Sequence, residues 1–119
     1  MAKTILIGDD DIDILFIIKY ILSEEGYIVQ TYSGAKALVN DINKIKPDLI
    51  LLDVMFGDAD GRDICKTIKN ADQQMPVILI SASHDLEQTL FQPGGPDDFI
   101  AKPFDVDCLI KKVHLALAA

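Results

Sequence analysis

Five short apolar runs punctuate the chain: Thr4–Gly8, Tyr27–Thr31, Asp48–Leu52, Val77–Ser81 and Asp98–Ala101. Several are rich in Ile and Val, and near-continuous apolar runs of this length predict strands buried on both faces of a parallel sheet. Between them lie longer segments with helical spacing. Ile14, Leu15, Ile18, Ile21 and Leu22 mark one face of a first helix, with Gly26 as its stop. Ser33 is placed to cap a second helix carrying Leu38, Ile42 and Ile45, which ends before Pro47. Ile64, Cys65 and Ile68 mark a third. Asp105 is placed to cap a last helix with Leu109, Ile110, Val113 and Leu117 on one side. Asp85–Phe91 leaves room for only a short or irregular fourth helix, because Gln92-Pro93-Gly94-Gly95-Pro96 breaks regular structure.

Strands alternating with helices through short connections imply a parallel sheet covered by helices on both faces. Five such units predict an α/β, flavodoxin-like, doubly wound (βα)5 fold whose five-stranded sheet has the order 2-1-3-4-5. The 119 residues fill one compact domain, expected over 1–119 with no output domain after the last helix. No apolar run is long enough to span a bilayer, and the opening MAKTILIGDD lacks the pattern of a secretory signal. The net charge of -8, with scattered basic residues, argues against a nucleic-acid surface. Cys65 and Cys108 have no metal-ligand spacing and read as free thiols of a reducing cytoplasm.

Ligands of an open α/β sheet bind beyond the carboxyl ends of the strands, where the strand order reverses. At those ends the sequence puts Asp9-Asp10, Asp53, Ser81-Ala82 and Lys102-Pro103. Three carboxylates, a hydroxyl and a lysine are therefore expected in one crevice. At about 4 Å and an effective dielectric near 20, each pair of like charges costs about 4 kcal/mol. A lysine relieves part of that repulsion, and a divalent cation relieves more. Oxygen-only ligands suit Mg²⁺ or Mn²⁺ rather than zinc. The same groups suit phosphoryl transfer, with one carboxylate attacking phosphorus while metal and ammonium neutralise the equatorial oxygens. Other acids have plainer readings. Asp11 and Asp13 lead into the first helix as cap residues, and Asp58 and Asp60 read as solvated residues of a Gly-flanked turn. His84 reads as a lone exposed histidine, and His114 carries no usable signal.

Over essentially its whole length the chain resembles the receiver domain of two-component response regulators. Ile5-Leu6-Ile7-Gly8-Asp9-Asp10-Asp11 is similar to that family's first strand and acidic pair. Pro47-Asp48-Leu49-Ile50-Leu51-Leu52-Asp53-Val54-Met55 resembles its phosphorylation strand, and Asp60-Gly61 the Asp-Gly that follows. Pro76–Ala82 resembles its switch strand, and Asp97–Phe104 its lysine-bearing strand with the Lys-Pro pair. The resemblance implies that Asp53 accepts phosphate from a histidine kinase or histidine phosphotransfer protein. It implies Mg²⁺ held by Asp9, Asp10, Asp53 and the Met55 carbonyl, Asp10 more directly than Asp9. Lys102 and the Ser81 hydroxyl would pair with phosphoryl oxygens, and the N–H groups of Val54 and Ala82 would complete the cradle. Phe99 would be the aromatic whose rotamer reports phosphorylation.

Such a domain is a signalling module that at most catalyses its own phosphorylation and dephosphorylation. Its output would be an unknown downstream protein or a homodimer through the face of the fourth helix, fifth strand and fifth helix. Three departures bear on that face and its surroundings. Gly57 stands where the family often has Pro, Ser81 to Lys102 is about one residue short, and Pro93 and Pro96 interrupt the fourth-helix region. Three alternatives compete with this reading. A degenerate receiver would act only as an interaction module. An aspartyl-phosphate phosphatase would need a second acid where Met55 stands. A flavodoxin-type cofactor domain would need a phosphate loop where Gly8-Asp9-Asp10-Asp11 places acids.

Overall fold

The computed structural model describes residues 2–82 and 94–118. In chain order the elements are β1 (Thr4–Gly8), α1 (Ile12–Glu24), β2 (Ile28–Tyr32), α2 (Ala35–Ile45), β3 (Leu49–Asp53), β4 (Met55–Phe56), β5 (Ala59–Asp60), α3 (Gly61–Ala71), β6 (Val77–Ser81), β7 (Asp98–Ala101) and α4 (Val106–Leu117). The expected fourth helix, with Ser83, His84 and Asp85–Phe91, lies outside the described residues.

Five strands form one parallel sheet of order β2-β1-β3-β6-β7, the order the sequence predicts. Side chains along the central strands alternate between two cores, as the period of two requires. Ile5, Ile7, Leu49, Leu51, Ile78 and Ile80 face α1 and α4, meeting Leu15, Ile18, Leu22, Leu109 and Val113. Leu6, Ile50, Leu52, Val77 and Leu79 face α2 and α3, meeting Leu38, Ile64, Cys65 and Ile68. β3 and β6 are buried at every position, whereas the edge strand β2 buries only Val29 fully. The expectation of two buried faces holds for the centre of the sheet and fails at that edge.

Local sequence sets the helix ends. The Asp11 carboxylate accepts from the N–H groups of Asp13 and Ile14, and that of Asp105 from Asp107, so both expected caps form. Gly26 follows α1 with φ +93, a conformation that suits glycine at a helix end. Ser33 does not cap α2. Gly34 occupies that position and makes no side-chain bond. The segment after β3, expected as a turn, is a two-stranded antiparallel hairpin of β4 and β5 around Gly57, whose φ is +62. It drives Phe56 into the core beside Leu38.

Two polar ties lie away from the strand ends. The buried Lys69 ammonium donates to Asp97 Oδ2 at 2.6 Å, and the same oxygen accepts the Val77 N–H at 2.8 Å, joining α3 to β6. Tyr27 OH lies 2.8 Å from His114 Nδ1, and His114 Nε2 lies 3.1 Å from Glu25 Oε1. This second tie joins α4 to the turn between α1 and β2. No helix among the described residues is long and apolar enough to cross a membrane.

Candidate functional site

The carboxyl ends of β1, β3, β6 and β7 converge. Asp9 follows β1, Asp53 ends β3, Ser81 ends β6, and all three are buried. Parallel strands in register bring these ends level, because Gly8 pairs with Leu52, Asp53 with Ile80 and Ser81 with Ala101. The Lys102 N–H then donates to the Ser81 carbonyl at 2.8 Å, carrying the ladder one residue further and fixing where the lysine side chain departs. Its peptide bond to Pro103 is cis.

The two buried acids are held in the same way. Asp53 Oδ1 accepts the Met55 N–H at 2.8 Å, and Asp9 Oδ1 accepts the Asp11 N–H at 3.0 Å. Each carboxylate thus has one oxygen fixed by backbone, and each turns the other to Lys102. The Lys102 Nζ donates to Asp53 Oδ2 and, at 3.3 Å, to Asp9 Oδ2. Two anions and one cation leave the cluster with a formal charge of minus one. Burial pushes the Asp9 carboxyl up to about 7, and the neighbouring Asp53 adds to the rise against the pull of Lys102 and the Asp11 N–H. Burial alone would lower the Lys102 ammonium, but the Asp53 and Asp9 carboxylates outweigh it and hold it above its usual range.

Glycine permits this packing at two places. A Cβ on Gly61 would lie 2.3 Å from the Asp53 carbonyl oxygen, so the start of α3 approaches the backbone of Asp53 only without a side chain. A Cβ on Gly8 would lie 2.4 Å from the Phe56 ring, which packs in the core against β1.

Other expected site residues fall differently. Asp10 is exposed at the rim rather than drawn in beside Asp9. Among the described residues no three acidic, His or Cys side chains converge into a cation cage, so the expected cluster of three carboxylates is a buried pair with a third acid outside it. The Val54 N–H, expected to face a phosphate, donates to the Ile80 carbonyl at 2.9 Å and belongs to the sheet ladder. The Met55 N–H is the one that reaches the carboxylate. Ala82 is exposed just beyond Ser81, and the Met55 side chain is exposed on the hairpin. Phe99 is half-buried against the core on the α2 and α3 side. Asp60 is not a solvated turn residue. It caps α3 through the Arg62 N–H, its carboxylate is gripped by the Arg62 guanidinium at 2.7 Å, and that pairing holds its carboxyl below the usual range.

The donor set suits a hard divalent cation. It offers only oxygen ligands, it carries a net negative charge, and the desolvated Asp9 carboxylate would gain from a cation beside it. Mg²⁺ in particular is commonly held by one or two carboxylates with waters completing its shell.

Comparison with known proteins gives a consistent result. The family model of the response regulator receiver domain matches residues 5–114. The alkaline phosphatase synthesis transcriptional regulatory protein PhoP of Bacillus subtilis is 32% identical over 117 residues, covering 95% of this chain and 49% of that protein. The chain therefore spans about half the length of that curated relative. The solved receiver domain of NtrX from Brucella abortus has a TM-score of 0.87 at 34% identity, with 97% of this chain and 98% of that one covered. A CheY-like response regulator receiver domain protein from Methanospirillum hungatei has a TM-score of 0.90 at 30% identity, with coverage of 99% and 95%.

Proposed function

The chain belongs to the response regulator receiver domain family, and we propose that Asp53 is its phosphoacceptor, charged by a histidine kinase or histidine phosphotransfer protein. The observation that carries this reading is the Asp53 carboxylate itself. It is buried at the carboxyl end of the central strand, held at one oxygen by the Met55 N–H and faced at the other by the Lys102 ammonium. In the transfer, an Asp53 oxygen forms the new P–O bond as the P–N bond to the donor imidazole breaks, and the bonding pair leaves with that nitrogen. Lys102 would exchange a carboxylate partner for a phosphoryl oxygen. The Ser81 hydroxyl and the Ala82 N–H would meet other phosphoryl oxygens. For the Val54 N–H to join them, its bond to Ile80 must first open.

Asp9, Asp10, Asp53 and the Met55 carbonyl would hold Mg²⁺, and Mn²⁺ suits the same donors. When bound, the ion supplies positive charge to the phosphoryl oxygens. The Phe99 ring would report the change through β7 to a downstream protein or a second copy, and the module would act in the cytoplasm.

An intact-mass measurement tests the reading. After incubation with acetyl phosphate or phosphoramidate and Mg²⁺, the domain is expected to gain one phosphoryl group, and chelation of the metal is expected to prevent it. No gain under any condition would turn the assignment towards a receiver that acts only by contact.

A donor protein needs a surface to grip beside Asp53. The helix α1 starts just after the Asp9-Asp10 pair and leaves Ile12, Phe16 and Tyr20 exposed, at 71%, 73% and 62%. These residues recur every four positions and so form one apolar stripe. Phe16→Asp is expected to slow transfer from a histidine phosphotransfer protein about tenfold or more, while uptake from acetyl phosphate stays unchanged. Equal loss with both donors would show damage to the site rather than to docking.

A further inference from the structure

Lys112 does something at the open edge of the sheet that neither packing nor solubility requires. β7 is an edge strand, so on one side it has no partner strand among the described residues. Its Phe99 turns towards the α2 and α3 core, whereas its neighbour Ile100 turns towards the core of α1 and α4. Lys112 lies on α4, the helix that buries Leu109 and Val113 in that second core. Its side chain therefore passes round the sheet edge from one face to the other.

There it makes three contacts. Its Nζ donates to the Phe99 carbonyl at 2.6 Å and to Asp98 Oδ1 at 3.2 Å, and lies 4.9 Å from the centroid of the Phe99 ring. Asp98 Oδ1 also accepts the Phe99 N–H at 2.8 Å. Both backbone polar groups of Phe99 thus belong to one closed loop with Lys112, and its ring lies under the same cation.

We propose that Lys112 is a positioning residue that latches Phe99 in the setting seen here, half-buried against the α2 and α3 core, and opposes the one it takes on phosphorylation, so that α4 sets how readily the signal at Asp53 reaches the output face. This rests on the reading above, in which Phe99 reports phosphorylation. A ring that turns away gives up its contact with the cation, and a shift of β7 opens the loop. A cation–aromatic contact at a partly exposed site biases such an equilibrium by about threefold. Lys112 touches neither Asp53 nor Lys102, so its removal acts on the readout and not on the chemistry.

The test uses the full domain labelled with 4-fluorophenylalanine, with the Phe99 resonance identified by its absence from Phe99→Leu. Fluorine spectra and intact mass are recorded for wild type, Lys112→Met and Lys112→Arg, before and after acetyl phosphate with Mg²⁺. Before phosphorylation, Lys112→Met is expected to move the Phe99 resonance part-way towards the position it takes in phosphorylated wild type. That displacement corresponds to about a threefold change in the ratio of the two settings. Lys112→Arg, which keeps a cation over the ring, is expected to stay at the wild-type position. All three proteins should reach the same phosphoryl stoichiometry. An unmoved resonance in Lys112→Met, when the wild-type resonance moves on phosphorylation, overturns the latch alone. A wild type that gains the phosphoryl group without moving its Phe99 resonance overturns Phe99 as reporter, and the latch with it. A wild type that gains no phosphoryl group overturns the reading of Asp53, and the mass channel shows that failure separately.

Discussion

Asp53→Asn is expected to take up no phosphoryl group from any donor and to remain folded with undiminished stability. The first half follows from chemistry, because an amide oxygen is a poor nucleophile towards phosphorus and no other buried carboxylate among the described residues holds the same place. Asp9 is its nearest rival, but its carboxyl is pushed up chiefly by burial, which the substitution leaves in place. The second half follows from counting charges. The native cluster holds two buried carboxylates and one partly buried ammonium. Removing one partner of a lone buried ion pair costs several kcal/mol, since it strands a charge. Here removal of the Asp53 charge strands nothing, because Lys102 keeps Asp9 as its partner at 3.3 Å. The amide that replaces the carboxylate also keeps a carbonyl oxygen for the Met55 N–H, which Asp53 Oδ1 accepts at 2.8 Å. The melting temperature is therefore expected to be equal or higher, while intact mass shows complete loss of the phosphoryl gain. A folded Asp53→Asn that still acquires the label would move the acceptor to another residue.

Such a prediction was within reach of the sequence because the fold carries few choices at the strand ends. The runs Thr4–Gly8, Val77–Ser81 and Asp98–Ala101 form strands with those bounds, and the other two are displaced by one residue. Once the runs are strands of a doubly wound sheet, whatever follows each of them must face the switch-point crevice. Asp9, Asp53, Ser81 and Lys102 were legible for that reason. Asp11 and Asp105 were legible as caps because their side chains act on backbone two or three residues away.

What stayed hidden depended on direction or on distant partners. Asp9 and Asp10 follow β1 together, and their adjacency in sequence did not show that Asp9 is buried while Asp10 is exposed. The Val54 N–H could be assigned only when its partner, the Ile80 carbonyl, was known. The hairpin of β4 and β5 has strands of two residues, too short for any periodic signal, and it converted Asp60 from a turn residue to a helix cap. Arg62, two residues after Asp60, was the available clue. The contacts of Lys112 with Phe99 and of His114 with Tyr27 join segments far apart in the chain, and nothing local announces them.

In metal-free buffer the domain is expected to lose stability as the pH rises from about 5 towards about 8, against the trend usual for paired carboxylates. Asp9 is the cause. An unfolded aspartate titrates near about 3.9, while in the fold burial, helped by Asp53, carries this carboxyl up to about 7. Below about pH 4 the group is protonated in both states, and its contribution to stability is fully present. Between there and about 7 the folded chain keeps a proton that the unfolded chain has released, so each step up in pH favours unfolding. Above about 7 both states are ionised and the slope from this group ends. Across that window the loss is roughly 2–3 kcal/mol. The low pKa of Asp60 acts with the opposite sign, but only between its depressed folded value and the unfolded value near about 3.9, below the window. Urea titrations at closely spaced pH, repeated in Asp9→Asn, isolate the effect. That variant keeps an acceptor for the Asp11 N–H and leaves His114 unchanged, and its stability should be higher at about pH 8 and should lack the Asp9 slope. Millimolar Mg²⁺ should restore the wild type at about pH 8 more than at about pH 5, because a cation binds the ionised pair and its binding energy adds to folding. A wild-type slope that persists unchanged in Asp9→Asn would assign the titration to another group and would leave Asp9 an ordinary buried ion-pair partner of Lys102.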